Sequence, residues 1–515
     1  MAGSQRDEIE RKYDIETGVV FPDLSGVAGV GAVRQPEELA LHAVYYDTSG
    51  FDLARAGVTL RRRTGGRDEG WHLKLPGGGD TRTEMHEPLG DDPGEVPAPL
   101  TARVRALVRG RPLRPVAQVN TVRREYALCD GDGAVLARVC DDHVQARRLD
   151  DGAGSGSDTG FEQSWREWEL ELDRGPAELF DLVEGRLRSA GASPAASASK
   201  LRRTLGDLPA DAPHPSEDDL SDGTARELLA AHLAEHTAKL HTHDAAVREG
   251  HPEGIHKLRI AARRLRSALA TWRPLLDRSA TDPVRDELRW LGESLGAARD
   301  AQVLREHLSE VIAAQPAELV VGSVAARIDD QLSAAYQAGR ERAVETLDSA
   351  RYVRLLDALD GLSASPPLAP DADGPAGKRV KRLLRRDVKR LHRAVRAIDT
   401  AEEPTQRDVA FHEARKKAKR LRYAAEMARP VVGRKARSLA ASAKKVQEAL
   451  GVHQDSVVAR ERLRELGMQA HLDGDNAFTF GRLHGVEESR AERAEADFDK
   501  AWKKLRRKQL DRWVG

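Results

Sequence analysis

Charged side chains occupy every second position in several short segments of residues 1–205. In the first segment, Glu8, Glu10 and Lys12 alternate with Ile9 and Tyr13. Successive side chains of an extended chain point to opposite faces, so each segment would have a charged and an apolar face. One such segment alone is better explained as a solvated edge strand. The pattern recurs in residues 60–63, 71–75, 81–84, 122–126, 135–141 and 165–172, which predicts a closed barrel with a polar interior.

The cations at these positions suit a chain of phosphates. Arginine can bind two phosphate oxygens with its planar guanidinium, and lysine offers a compact charge. We expect the barrel wall to bind a linear phosphate chain through Arg61, Arg63, Lys74, Arg82, Arg123 and Lys200.

The carboxylates on the same faces would repel that ligand. They are Glu8, Glu10, Asp141, Glu169 and Glu171. A hard divalent cation between them and the phosphates removes the repulsion, so Mg²⁺ or Mn²⁺ is implied.

Length and composition indicate two or three domains. A chain of 515 residues is too long for one hydrophobic core, and 4% aromatic with 32% charged residues favours long exposed helices. Residues 1–205 hold 28 Lys/Arg against 34 Asp/Glu, whereas residues 221–515 hold 55 against 44. The C-terminal part is therefore the better candidate for binding a polyanion.

The sequence also predicts the compartment. Cys129 and Cys140 alone cannot form a disulfide framework, which fits a reducing environment. No apolar run is long enough to span a bilayer, and the acidic N-terminus lacks the core of a signal peptide. We expect a soluble, cytoplasmic protein with no membrane partner.

The chain changes character after residue 205. Before it, alternating runs dominate, with helical candidates at residues 36–42, 97–109 and 176–189. Residues 206–222, rich in Pro and Asp, are predicted to be a linker, and helical periodicity follows from residue 223. Residues 256–266 match residues 412–422, and residues 295–300 match residues 450–455. This internal repeat predicts two similar helical bundles.

Each copy of the repeat has a basic stripe beside an apolar one on the helical wheel. For any single arginine, a solvated face paired with nearby acids is the better explanation. A duplicated stripe that includes histidine in register favours a binding surface. The stripes are His256, Arg259, Arg263 and Arg266, then His412, Arg415, Lys419 and Arg422, while the segment 378–393 adds nine Lys/Arg, among them Lys381, Arg385 and Lys389.

One short motif points elsewhere. His232, Glu235 and His236 have the spacing of the inverted zinc-protease motif. Five residues are a weak signal and no third ligand suggests itself, so exposed helix histidines are the expected outcome.

An ordered set of motifs resembles the CYTH family of triphosphate tunnel metalloenzymes. The set comprises Glu8-x-Glu10-x-Lys12, Tyr45-Tyr46-Asp47-Thr48, the arginines of residues 60–63, residues 71–76, a Glu-x-Glu-x-Glu strand at residues 167–171 and Ser199-Lys200-x-x-Arg203. The resemblance covers residues 1–205 and implies an eight-stranded antiparallel β-barrel tunnel that hydrolyses triphosphates with divalent metal ions.

The resemblance also implies roles for residues. It implies that metal is bound by Glu8, Glu10, Glu169 and Glu171, with Glu167 and Asp141 as further candidates and Asp142 as the alternative register for Asp141. Phosphate would be held by Lys12, Arg61, Arg63, Lys74, Arg82, Arg123, Lys200 and Arg203. The catalytic group would consist of Glu8, Glu10, Lys12, Asp141, Glu169, Glu171 and Lys200.

The basic repeat resembles the CHAD domain, an α-helical module named for conserved histidines that His256 and His412 match. The resemblance implies an all-α domain at residues 223–515, made of two pseudo-symmetric four-helix bundles that bind inorganic polyphosphate in a basic groove. The whole chain would be an α+β multidomain protein associated with polyphosphate granules. Nucleic acid is the rival ligand, but few aromatic residues accompany the stripes to stack on bases.

These expectations favour metal-dependent hydrolysis of inorganic tripolyphosphate in the barrel. A binding protein without turnover and a triphosphatase for an organic substrate such as thiamine triphosphate remain alternatives. Adenylate cyclase activity, also found in the CYTH family, is disfavoured because nothing in the sequence suggests a base pocket.

Overall fold

The computed structural model describes residues 4–76, 81–90, 92, 94–149, 162–206, 208, 220–370 and 372–507. The chain divides into two compact units, residues 1–211 and residues 212–515. Most of the predicted linker at 206–222 lies outside the described residues. None of the described helices is both long and apolar enough to cross a lipid bilayer.

The first unit is built on eight antiparallel strands. They are β1 (Ser4–Ile15), β2 (Glu37–Asp47), β3 (Thr59–Thr64), β4 (Gly70–Pro76), β5 (Thr81–Glu87), β6 (Arg114–Cys129), β7 (Val135–Arg148) and β8 (Glu162–Leu172). Hydrogen bonding joins them in the order β1-β5-β4-β3-β2-β6-β7-β8, and β8 pairs back with β1. The predicted eight-stranded barrel is therefore confirmed. Residues 36–42, a predicted helical candidate, belong mostly to β2, which is paired along both edges.

Strand register decides which charges meet inside the barrel. Glu8 of β1 lies opposite Arg82 of β5, whereas Glu10 and Lys12 lie opposite Glu171 and Glu169 of β8. A shift of one residue would move every one of these side chains to the outer face.

The outer face of the barrel is apolar and is covered by short helices. These are α1 (Asp52–Arg55), α2 (Ala98–Val108), α3 (Glu178–Ser189) and α4 (Lys200–Leu205). Trp71 and Leu73 pack under α2, Tyr13 and Trp168 under α3, and Val119 beside α4. The apolar core therefore surrounds the barrel, and its interior is left to polar side chains.

The second unit is all-helical, as predicted. Its helices are α5 (Ala225–Arg248), α6 (Gly254–Trp272), α7 (Arg278–Ser294), α8 (Gly296–Ala313), α9 (Val324–Asp348), α10 (Ala350–Ala364), α11 (Ala376–Asp399), α12 (Pro404–Met427), α13 (Arg429–Val432), α14 (Arg434–Leu472) and α15 (Phe478–Leu505). The duplicated basic stripes lie on α6 and α12, which pack against each other.

The two repeats share part of their apolar core. Leu308 of α8 and Ile328 of α9 join one buried cluster with Leu463 of α14 and Phe480 of α15. The buried face of α6 includes Leu258 and Leu265, which form the apolar stripe predicted beside the basic one. Packing of these faces leaves the basic stripes available for other contacts.

Candidate functional site

The barrel encloses a cavity of about 250 Å³ lined almost entirely by charged side chains. Leu39, Leu41 and Tyr45 are the apolar or aromatic exceptions among the described lining residues. The charged lining includes the predicted residues Glu8, Glu10, Lys12, Arg61, Arg63, Lys74, Arg82, Arg123, Glu169, Glu171 and Lys200. Alternation along the strands thus brings together side chains from all eight strands and α4.

Each lysine of the cavity sits against carboxylates. Lys12 donates to Glu169 and lies 3.2 Å from Glu10, while Lys74 donates to Glu8. Lys200, held at the start of α4 by the Ser199 cap, lies within 2.8 Å of oxygens from Asp142, Glu167 and Glu169. These ion pairs offset the cost of burying the charges.

The arginines complete the same network. Arg123 forms a two-pronged contact with Asp142, at 2.8 and 2.7 Å, and also donates to Glu169. Arg82 Nε lies 3.3 Å from Glu10. Arg63 pairs with Asp68, a residue of the β3–β4 turn that also lines the cavity.

The carboxylates form two groups that could each hold a metal ion. Glu8, Glu10 and Glu171 form the first, and Asp142, Glu167 and Glu169 form the second. Within each group, one oxygen per residue lies within 4.8 Å of the others. An all-oxygen donor set of this kind matches the preference of Mg²⁺ and Mn²⁺.

Two buried oxygens support this fit. Glu10 Oε2 and Glu167 Oε1 accept no hydrogen bond of good geometry, although the ammonium groups of Lys12 and Lys200 lie 3.2 and 2.7 Å away. Each of these buried oxygens has an ammonium beside it rather than a well-aligned donor, and a metal cation could take the place of that ammonium.

The placement predicted for Asp141 is wrong. Asp141 lies on the outer face of β7, where it accepts two hydrogen bonds from Arg166 at 2.7 and 2.8 Å and one from Trp168 at 3.1 Å. Its neighbour Asp142 points into the barrel, because side chains alternate along the strand. Asp142 is therefore the acidic residue of β7 that reaches the cavity.

Arg203 is also placed differently from the prediction. It pairs with Asp14 at 2.5 Å, and its guanidinium stacks on the ring of Trp165 at 4.7 Å. Asp14 follows Lys12 on the inward-facing positions of β1, so this pair lies beyond the lining residues of the cavity.

Glu84 of β5 lines the cavity and was not among the predicted ligands. Glu84 accepts from Arg6 at 2.8 Å, and its other oxygen lies 3.1 Å from His72 Nδ1. Burial opposes its ionisation, but His72, Lys74 and Arg61 together hold the pKa of Glu84 well below its usual value. Burial also lowers the pKa of His72 to about 4, so its ring is neutral. The alternation of Arg82 and Glu84 was the sequence signal for this inward position.

The carboxylates of the cavity differ in acidity, even within the first group. Burial opposes ionisation throughout, but Lys12 and Lys74 lower the pKa of Glu10 to about 2. Lys12, Lys200 and Arg123 likewise hold the pKa of Glu169 well below its usual value. By contrast, burial raises the pKa of Glu171 to about 7, with Glu8 and Glu169 adding to the shift against Arg123. Glu171 is thus the lining carboxyl that gains and loses a proton near neutral pH.

In the helical unit, four cations of the two stripes converge. We name Arg259, Arg263, Arg415 and Lys419 the central basic cluster. Arg263 donates to Tyr423 at 3.2 Å, and the charges of Arg415, Arg263 and Arg259 all act on Lys419. Burial and these neighbours lower the pKa of Lys419 to about 7. The cluster is therefore short of compensating negative charge.

The internal repeat is visible in the contacts of this cluster. In the first repeat, the guanidinium of Arg259 lies 3.5 Å from Asp300 and passes over Gly296. In the second, the guanidinium of Arg415 lies 3.8 Å from Asp455 and passes over Gly451 in the same way. A side chain at either glycine would stand 3.3 to 3.4 Å from the guanidinium. Both glycines therefore allow the close approach of the arginine.

The other predicted polyphosphate ligands differ in their surroundings. His256 and Arg266 both lie near Arg263 of the central basic cluster, and also near Arg299 and Arg289, respectively. By contrast, His412 contacts Gln454 at 2.8 Å. Arg422 turns to Glu426 at 2.8 Å. Lys381, Arg385 and Lys389 are exposed on α11, and no ion pair joins them to another described residue.

Comparison with known proteins agrees with this architecture. Residues 6–205 match the CYTH domain family and residues 231–464 match the CHAD domain family. The uncharacterized protein Rv2226 of Mycobacterium tuberculosis is 40% identical over 506 residues, which cover 97% of this chain and 96% of that protein.

Two solved structures resemble the chain. PptA from Streptomyces chartreusis is 23% identical, with a TM-score of 0.46 over 55% of this chain and 100% of PptA. The CHAD domain from the plant Ricinus communis is 26% identical, with a TM-score of 0.44 over 56% of this chain and 93% of that domain. From the two domain matches and the full-length relative, the chain belongs to the proteins that join an N-terminal CYTH domain to a C-terminal CHAD domain.

Proposed function

We propose that the barrel hydrolyses inorganic tripolyphosphate with the help of Mg²⁺ or Mn²⁺. The observation that carries this proposal is the pairing, inside one closed cavity, of a row of cations with two groups of carboxylates. CYTH membership implies hydrolysis of the triphosphatase type, and the proposal adds the substrate, the metal and the residues.

The cations would bind and orient the phosphates. Arg61, Arg63 and Lys74 line one part of the wall, whereas Arg123 and Lys200 line another, so a linear anion can contact both. Each cation now faces a carboxylate, and the phosphate oxygens would take over as its partners. The exchange keeps the buried charges compensated.

The metal ion would be held by Glu8, Glu10 and Glu171 or by Asp142, Glu167 and Glu169, and when bound it would neutralise phosphate charge. Glu169 positions Lys12, Lys200 and Arg123 together. With the metal ion held by Asp142, Glu167 and Glu169, the carboxylate of Glu171, whose pKa burial raises to about 7, is left to accept a proton from the attacking water. The enclosing wall keeps other water from the charges and strengthens their interactions.

The lining favours an inorganic over an organic triphosphate. Leu39, Leu41 and Tyr45 are the apolar or aromatic described residues around a cavity of about 250 Å³. A nucleoside or thiamine group would need a larger apolar surface to replace its hydration. ATP and thiamine triphosphate are the alternative substrates, and the assay includes both for comparison.

Phosphate release tests the proposal directly. The full chain is supplied with tripolyphosphate, ATP or thiamine triphosphate, each with Mg²⁺ or Mn²⁺ and with a chelator. We expect the highest kcat/KM for tripolyphosphate and no release with the chelator. No release from any substrate would reject the enzyme, and polyphosphate binding that persists in a Glu169→Ala, Glu171→Ala variant would then favour a binding protein without turnover.

For the helical unit we propose that the central basic cluster binds inorganic polyphosphate. A long polyanion gains affinity from the release of its condensed counterions when cations neutralise it. The support is the crowding of Arg259, Arg263, Arg415 and Lys419 around few acids. A protein with this ligand would accompany polyphosphate granules in the cell.

A further inference from the structure

The helical unit contains a second cavity, of about 810 Å³, that neither proposal uses. Helices α5, α6 and α12 enclose it together with the short α13. One wall is the α5 segment with His232, Glu235 and His236. The opposite walls carry Arg264 and Glu426.

The expectation that these histidines are exposed is wrong. His236 is only 3% exposed, and His232 is half-buried. The two rings contact edge to face, with centroids 4.4 Å apart. Histidines four positions apart lie on one face of a helix, and here that face turns toward the cavity.

The three side chains can reach a common point. One ring nitrogen of each histidine and one oxygen of Glu235 lie within 4.8 Å of one another. Two imidazoles and a carboxylate form the donor set of a three-ligand zinc site with one open position. Nitrogen ligands select zinc and similar transition metals over Mg²⁺.

His236 carries an independent sign of a missing partner. Its Nδ1 is buried and has no hydrogen-bond partner among the described residues. Buried polar atoms are nearly always satisfied, so an unpartnered ring nitrogen needs a reason. A neutral imidazole has one ring nitrogen with a free lone pair, which can bind a metal ion.

Three of the five cations that line the cavity already face carboxylates. Lys239 donates to Glu235, and Arg264 lies 2.8 Å from Glu426. Arg422 donates to the other oxygen of Glu426, also at 2.8 Å. A divalent ion bound at Glu235 would displace Lys239, whose exposed side chain can move into solvent.

We propose that His232, Glu235 and His236 bind one zinc-class divalent metal ion, with its open coordination position facing the cavity. This site differs from the barrel groups because two of its three ligands are nitrogen atoms. It does not depend on the function proposed for either unit.

Metal content tests the proposal. The full chain is stripped with a chelator, supplied with Zn²⁺ in excess Mg²⁺ to occupy the oxygen-only groups, desalted and analysed for zinc. We expect the unmodified chain to retain one equivalent more than a His236→Ala variant. His243→Ala is the matched control, because His243 lines the same cavity outside the triad and should not change retention.

Two further variants separate binding from folding, since His236 is buried. Glu235→Gln changes an exposed side chain without changing its shape, and we expect it to weaken zinc binding at least about tenfold. Lys239→Ala releases Glu235 and should strengthen binding. Equal zinc retention and affinity in the unmodified chain, His236→Ala and Glu235→Gln would overturn the proposal, as would an equal loss in His243→Ala.

Discussion

The two units bring cations together in opposite ways. Lys12 in the barrel and Lys419 in the helical unit are both buried ammonium groups, yet their pKa values move in opposite directions. Burial lowers both, but Glu169 and Glu10 raise the pKa of Lys12 above its usual value, whereas Arg415 and Arg263 lower that of Lys419 further, to about 7.

This difference separates two modes of binding phosphate. In the barrel, fixed carboxylates balance the positive charge. A phosphate chain that enters must replace these carboxylates as the partners of the lysines and arginines. A metal cation is then needed to compensate the displaced carboxylates. In the helical unit the positive charge is in excess, so a polyanion is the missing partner. The first arrangement suits chemistry on a short substrate and the second suits retention of a long one.

The largest expected effect comes from removing the charge that organises the barrel. Glu169→Gln leaves Lys12, Lys200 and Arg123 without a shared carboxylate, and we expect kcat for tripolyphosphate to fall on the order of 100-fold or more. Polyphosphate affinity should stay unchanged because the helical unit is untouched. Glu38→Gln on the barrel exterior is the control, and equal activity of both variants would contradict the role of Glu169.

Substituting each of the two adjacent aspartates of β7 separates the effect of the cavity from that of the outer face of the barrel. Asp142→Asn removes a cavity carboxylate and should lower activity at least about tenfold. Asp141→Asn weakens the contact with Arg166 on the outer face, so it should cost about 2 kcal/mol of unfolding free energy and leave kcat intact. Steady-state kinetics and urea denaturation of both variants distinguish the two sites. The reverse pattern would mean that the strand has the other register.

In the helical unit, Arg259→Ala with Arg415→Ala should weaken polyphosphate binding and flatten its salt dependence. Loss of two phosphate contacts reduces the slope of log K against log salt by about 1.5, given about 0.7 to 0.9 per contact. Affinity measured between low and moderate salt checks this. The matched control is Lys416→Ala with Lys417→Ala, whose side chains pair with Glu413. Equal slopes in both double variants would assign the arginines a structural role.

The smallest expected effect is a pH dependence of polyphosphate binding. Lys419, with a pKa of about 7, is charged below that pH, and a polyanion favours the charged form. Affinity should therefore fall several-fold as pH rises from 6 to 8, with proton uptake on binding at pH 8. Calorimetry in buffers of different ionisation enthalpy measures the uptake, which Lys419→Met should abolish. Uptake that persists in this variant would assign the proton to another group.

The sequence predicted much of the barrel because its signal is local. Alternation along β1 placed Glu8, Glu10 and Lys12 on one face, and the structure keeps them there. The error at Asp141 was avoidable. Ala137, Val139 and Asp141 occupy alternate positions of one strand and so share a face, and the two apolar residues identify that face as the outer one. Arg203 was assigned by motif alone, and only its contact with Asp14 excludes it from the cavity lining.

The helical unit was predictable only in part. The repeat and the stripes of α6 and α12 follow from periodicity, but the shared cluster of Leu308 with Leu463 depends on tertiary packing. The burial of His236 had a sequence signal, because it lies three positions after Leu233 and four before Leu240 on the apolar face of α5. Neither signal reveals the cavity that the histidines face.

A crystal structure of the protein with tripolyphosphate and Mn²⁺ would test the barrel site most directly. We expect the anion to lie inside the barrel against Arg61, Lys74 and Arg123, and anomalous density for manganese to lie beside Glu10 or Glu169. Tripolyphosphate and manganese bound elsewhere, with the ion pairs of Lys12 and Lys200 intact around an empty barrel, would contradict it.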